Sequence, residues 1–230
     1  WLVDRFYNFT TSAHLYENMQ RAVNEDYPIN PPNVATTFGS WEWQAGFPLI
    51  TVSREGSTLS ISQERFFYDR NLAQSGNLWW VPLNYVVGNN PDFTSTSPDF
   101  WMENVRNVTL ESSSAPKQWN ESDWLLFNIQ QTSYYRVNYD NNLWHLLIDQ
   151  LNDGSDGFES IHYRNRAQLI DDSFNLATAE FIEFDILLGI MDYMKYEEDY
   201  IPWMAANRAI SFLNPRLTGS KVSKDYQEFL

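Results

Sequence analysis

The sequence predicts an α+β segment in several parts: the helical tail of one domain, a β-sandwich, and the opening helices of an α-solenoid of the HEAT or armadillo kind. Three observations predict it. Short β-branched and aromatic runs between turn residues fill 47–139. Apolar residues recur with a helical period before 46 and after 140. The chain has 230 residues, 43% of them hydrophobic, enough to bury a sizeable core.

Taken in order, Leu15, Met19 and Val23 fall at i, i+4 and i+8 and predict a first helix. The cluster Tyr27-Pro28-Ile29-Asn30-Pro31-Pro32-Asn33 breaks it, and a short helix is expected over Val34 to Ala45. Leu49-Ile50-Thr51-Val52, the turn Glu55-Gly56-Ser57 and the alternating Thr58-Leu59-Ser60-Ile61-Ser62 predict a hairpin. Trp79 to Val87 reads as one strand, with Pro82 marking an edge or a bulge. Further strands are expected at Asn107–Leu110, Trp124–Ile129 and Tyr134–Tyr139, about seven in all, as in a β-sandwich.

Asp140 is a natural N-cap for a helix carrying Leu143, Leu147, Ile148 and Leu151 on one face. The stretch Asn152 to Gly157 ends it. Helices follow over Arg166–Ala177, Phe181–Tyr193 and Tyr200–Leu213, with Pro202 in the first turn of the last, where its missing N–H costs little. Successive helices with short links predict the start of a solenoid. Both termini read as cuts inside a longer protein.

Composition narrows the function. A net charge of −15 and a pI near 4.4 argue against nucleic acid as a partner, because phosphate binding needs a basic stripe. No apolar run reaches the roughly 18 residues of a membrane-spanning helix. With no cysteine there is neither a disulfide scaffold nor a thiolate metal site.

The chemistry-bearing residues give no assembled centre. His14 and Glu17 have the i, i+3 spacing of an inverted zinc motif, but Asn18 stands where its second histidine belongs. His145 and His162 read as helix-surface or capping residues. Neighbours in a helix point about 100° apart, so Asp171 and Asp172 cannot both face one substrate. One is expected to contact a residue such as Arg166 and the other to face water. Asp153 to Glu159 only faintly resembles a calcium loop, and its glycines suit a turn. Trp41, Trp43, Trp79, Trp80, Trp124 and Trp144 read as core, with carbohydrate stacking the other reading. The expected catalytic, cofactor and metal residues of this segment are therefore none. Three N-glycosylation acceptors are candidates: Asn8 (Asn8-Phe9-Thr10), Asn107 (Asn107-Val108-Thr109) and Asn120 (Asn120-Glu121-Ser122).

Five stretches carry a family resemblance. They are Ser40-Trp41-Glu42-Trp43-Gln44-Ala45-Gly46-Phe47-Pro48-Leu49-Ile50-Thr51-Val52, Leu59-Ser60-Ile61-Ser62-Gln63-Glu64-Arg65-Phe66, Trp124 to Asn128 with Thr132 to Asp140, Arg166 to Ala177, and Glu197 to Trp203. In order and spacing they resemble the zinc aminopeptidases of the aminopeptidase N group, with Ser133 where the family usually has Gly. The resemblance implies that 1–46 ends a thermolysin-like catalytic domain, 47–139 is the β-sandwich domain, and 140–230 begins the C-terminal helical domain. It places the zinc ligands, the general base and the residue that binds the substrate's amino group upstream of Trp1, and the usual disulfides beyond Leu230. The implied parent is an extracellular, cell-surface, GPI-anchored glycoprotein that trims peptide substrates, and is similar to insect midgut members. This segment is then structural and inactive alone. The partners implied are the rest of the aminopeptidase chain and, as an alternative role, a bacterial crystal toxin or an antibody docking on the segment. An inactive glycan-binding sandwich is a third reading.

Overall fold

The computed structural model describes residues 3, 6–26, 31–69, 71, 76–221 and 223–229. Tyr27–Asn30 of the expected breaker cluster lie outside them. The first helix, α1 (Ser12–Asp26), buries no residue and lies on α2 (Val34–Glu42). Asn33 caps α2 by accepting the Thr36 N–H, so Pro31 and Pro32 precede the cap.

The hairpin forms as expected from β1 (Pro48–Glu55) and β2 (Thr58–Arg65) in antiparallel register, Val52 opposite Ile61. Its alternating residues Leu59 and Ile61 are buried, and Gly56 turns at φ +57°. The hairpin is the centre of a four-stranded sheet ordered β6-β2-β1-β8, with β6 (Asn107–Glu111) antiparallel to β2 and β8 (Arg136–Tyr139) parallel to β1.

The run expected as one strand over Trp79–Val87 is two: β3 (Trp80–Leu83) pairs with β5 (Phe100–Glu103), and β4 (Tyr85–Val87) pairs with β7 (Leu125–Phe127). Asn84 is the reason. This buried residue donates its amide to Thr96 O and accepts the Ile129 N–H on Oδ1, so the chain changes partner there. Pro82 stays in a two-stranded ribbon, where its missing N–H breaks no second ladder. The β region is therefore one sheet and two ribbons, and β5 is a strand that its mixed sequence Phe-Trp-Met-Glu did not announce. Gln63 of β2 ties sheet to ribbon, accepting the Trp79 N–H at 2.9 Å and donating to Trp79 O and Val105 O.

The helices follow as α3 (Asn141–Leu151), α4 (Tyr163–Thr178), α5 (Phe184–Met191), α6 (Tyr200–Leu217) and α7 (Ser223–Phe229). The expected helix over Phe181–Tyr193 is shorter, and a 3₁₀ turn over Asp192–Tyr196 follows it. Helix α4 packs on both α5 and α6 and is buried along most of its length. One continuous apolar core runs from Leu49 and Trp79 through Phe127 to Leu169, Ile190 and Ala206. Trp79, Trp124 and Trp144 belong to it, but Trp43 does not: at 78% exposure it stands on the surface beyond the end of α2.

Candidate functional site: the junction of sheet and helices

The densest buried polar cluster joins β7, β8 and the turn between them to α4. The turn after β7 is irregular. Asn128 adopts a left-handed backbone at φ +67°, and Gln130 and Gln131 are also at positive φ. Such a turn leaves backbone groups without ladder partners, and burial makes unpaired ones costly. Helix α4 supplies the partners. Asn165 accepts the Gln130 N–H at 2.8 Å and donates to Asn128 O, while Gln168 donates to Phe127 O at 3.2 Å. Asn165 and Gln168 also bond each other at 2.7 Å. Both are fully buried.

Next along the chain, β8 offers Arg136. Its Nη1 donates to Asp171 Oδ2 and Asp172 Oδ1, each at 2.8 Å. The second oxygen of Asp172 accepts the Val137 N–H at 3.1 Å. Val137 faces away from β1, so this carboxylate occupies the place of a neighbouring strand's carbonyl and closes the outer edge of β8. The aspartate pair was expected to split between Arg166 and water. Instead both reach Arg136, because β8 lies along α4 and one guanidinium nitrogen sits between the two carboxylates. Burial lifts the Asp172 carboxyl to about 6, with Asp171 adding to the rise and Arg136 and the Val137 N–H opposing it. Burial alone would lower Arg136, but Asp172 and Asp171 hold it above its ordinary value.

Asp140 ends the strand and starts the helix with one side chain. Its Oδ1 caps α3 by accepting the Leu143 N–H at 2.8 Å, and its Oδ2 accepts the Arg54 N–H of β1 at 2.6 Å. The N-cap role agrees with the sequence reading; the sheet contact is additional.

A second cluster fastens α4 to the start of α6. Arg166 lies flat against Glu197, Nε to Oε2 at 2.7 Å and Nη2 to Oε1 at 2.8 Å. Nη2 also meets Asp199 at 2.7 Å and Nη1 donates to Ile161 O. Glu197 further accepts the Tyr193 hydroxyl and the Asp199 N–H, and Trp203 donates its indole N–H to Glu197 O. The geometry is the bidentate fork that only arginine makes. Burial would raise Glu197, but the Arg166 hydrogen bonds bring it below the usual carboxylate value.

The remaining candidates are scattered. His14 turns Nδ1 to the Thr11 hydroxyl and backbone at the head of α1. His145 Nδ1 lies 2.6 Å from Asn141 O, and His162 caps α4 by accepting the Arg164 N–H. Among the described residues no three His, Asp or Glu side chains are grouped to hold a metal ion, so these residues do not fit zinc. Asn8, Asn107 and Asn120 are all exposed.

Residues 124–230 match the family described as "ERAP1-like C-terminal domain". The chain is also 39% identical over 220 residues to an aminopeptidase N of Plutella xylostella, covering 94% of this chain and 22% of that protein. It is 32% identical over 230 residues to the aminopeptidase N of Mus musculus, covering 97% and 22%. This chain belongs to the aminopeptidase N group. It is also 35% identical over 212 residues to the thyrotropin-releasing hormone-degrading ectoenzyme of Homo sapiens, covering 86% of the chain and 19% of that protein. It thus spans about a fifth of the length of these relatives.

The aminopeptidase N stretches now have physical roles. Arg136 and Asp140 lie in the third of them and Asp171 and Asp172 in the fourth, and Arg166 with Glu197 links the fourth to the fifth, where Trp203 also bonds Glu197. The roles of Arg136, Asn128, Asn165 and Gln168 were not read from sequence. Long polar residues at the apolar positions of a helix, as Asn165 and Gln168 are in α4, were the available signal. The family match begins at Trp124, so β7 and β8 travel with the helices they are bonded to.

Proposed function

We propose that this chain is a supporting segment of a zinc aminopeptidase that removes N-terminal residues from peptides at the cell surface, and that its own residues do no chemistry. In this reading 1–46 closes the catalytic domain, 47–139 forms a β-sandwich domain and 140–230 opens the helical domain. On the same reading, residues outside this chain would hold a zinc ion, which would supply Lewis-acid polarisation of the scissile carbonyl and a more acidic bound water. The observation that carries the reading is the junction itself. Arg136, Asp172, Arg166 and Glu197, the charged groups at the centre of the two clusters, spend their hydrogen bonds on neighbouring side chains and on backbone. They are positioned to fasten elements, not to meet a substrate. The glycosylation of Asn8, Asn107 and Asn120, and a membrane anchor carried elsewhere in the parent, belong to the same reading.

The test is an assay of the folded chain with a chromogenic amino-acid amide, with and without added zinc. No turnover is expected in either case, and zinc-dependent release of the chromophore would overturn the proposal.

A second reading draws on the identity with the Plutella xylostella protein and on the exposed aromatics Trp43 and Tyr134. An insect midgut member could present this segment as a docking region for a bacterial crystal toxin. Immobilised chain should then retain such a toxin, and Trp43→Ala should weaken the capture. Absence of capture sinks this reading and leaves the first intact.

A further inference from the structure

The two outer strands of the four-stranded sheet are finished in different ways. On β8 the outward Val137 N–H is taken by Asp172. On β6 the Ser114 hydroxyl meets the Glu111 carbonyl at 3.2 Å, and among the described residues no side chain takes the strand's outward N–H groups. Gln63 N–H donates to Arg106 O and Ser112 N–H to Ser57 O. In an antiparallel ladder these two bonds fix the parity, so Val108 and Leu110 bond to β2 while Asn107, Thr109 and Glu111 turn their backbone groups outward. Among the described residues the Thr109 N–H and C=O have no hydrogen-bond partner. Such an edge is a template for another strand.

The same strand carries an acceptor sequon. Asn107 and Thr109 are two apart in an extended chain, so their side chains share a face, and both are exposed. Among the described residues the Asn107 carboxamide has no hydrogen-bond partner, whereas the Asn120 amide is drawn to Asp123 at 3.2 Å and Asn8 accepts the Phe9 N–H.

We propose that Asn107 carries an N-linked glycan that guards the open β6 edge against strand addition by a second copy of this chain. The inference rests on the proposed cell-surface location, because the modification belongs to the secretory route. The Asn107 Nδ2 forms a bond to the anomeric carbon of a lipid-linked oligosaccharide, loses one proton, and releases the lipid pyrophosphate. The partner the edge would otherwise take is another β6. An antiparallel pair centred on Thr109 sets Asn107 opposite Glu111 of the other copy and Val108 opposite Leu110. It therefore brings no like charges face to face and joins apolar to apolar. A glycan on Asn107 occupies both ends of that pairing.

The test is secretion of the chain from a eukaryotic host, peptide mapping for occupancy, and light scattering on gel filtration. Occupied Asn107 with a monomeric mass is expected. Asn107→Gln should double the mass, while Asn120→Gln should leave it unchanged. Asn107→Gln combined with Thr109→Pro should return to the monomer, because proline removes only the outward N–H and leaves the β2 ladder whole. Occupied Asn8 or Asn120 with bare Asn107 overturns the guard and leaves the location standing. All three bare in a secreted product overturns both. A monomeric Asn107→Gln protein at the same concentration overturns the guard alone.

Discussion

Glu197→Gln tests the buried fork most sharply, because it changes one atom and no shape. The Glu197 carboxylate accepts four donors: Arg166 Nε and Nη2, the Tyr193 hydroxyl and the Asp199 N–H. An amide keeps one acceptor oxygen and turns an NH2 group toward donors, so two of the four lose their partner. Hydrogen bonds to a charged group are worth roughly 1.5–3 kcal/mol each, which puts the loss at about 3–6 kcal/mol. Breaking a buried ion pair by removing one member costs about 3–5 kcal/mol, the narrower range adopted for this site. Asp199, which is half exposed, still touches Arg166 and moves the expected value toward about 3 kcal/mol. For a chain of this size a loss of about 3–5 kcal/mol lowers the thermal midpoint by roughly 6–20 °C. Circular dichroism melts of wild type and variant measure it directly. Replacing both partners, as Arg166→Met with Glu197→Leu, should cost less than the sum of the single changes by about 2 kcal/mol. A midpoint within about 2 °C of wild type for Glu197→Gln would refute the reasoning, since Arg166 would then not depend on this carboxylate.

Asp140→Ala removes a helix cap and a sheet acceptor together, and should cost about 2–3 kcal/mol by urea midpoint at unchanged m-value, with Asp140→Asn recovering part of it. Asp172 carries a pH signature. Its folded-state value is raised, so the folded protein binds the extra proton between pH 4 and 6 and this contribution to stability falls as pH rises through that window. Relative to Asp172→Asn, wild type should lose up to about 3 kcal/mol from pH 4 to pH 7, read from denaturation midpoints across pH; a slope of opposite sign would contradict it. Gly88 lies under Trp124, where an added Cβ would stand 2.6 Å from the indole nitrogen that bonds Gln150. Gly88→Ala should therefore cost about 1–3 kcal/mol and shift the Trp fluorescence, and an unchanged midpoint would show that the indole yields freely.

The sequence made the hairpin and α3 legible because each rests on local information: period-two alternation at Thr58–Ser62 with a glycine turn, and Asp140 ahead of a spaced leucine face. The break at Asn84 was not legible, because it depends on a buried side chain meeting Ile129, distant in sequence. The same holds for the junction. Nothing near Asp171 and Asp172 says that Arg136 will share them, since that pairing follows from β8 lying parallel to β1 and against α4. Parallel pairing joins distant segments and leaves no turn signal. The resemblance located the polar residues by their motifs, and only the fold gave each one its partner. Trp43 misled in the other direction, since its apolar character says nothing of which side of a helix end it leaves.

The central claim is that these motif residues fasten sheet and helices into one unit. Hydrogen exchange followed by mass spectrometry, across increasing denaturant, tests it most directly. Peptides covering β1, β8 and α4 should open together with one free energy and one denaturant slope, and Arg136→Ala should split them into a strand set and a helix set. Strand and helix peptides that already open separately in the wild-type chain would contradict the claim.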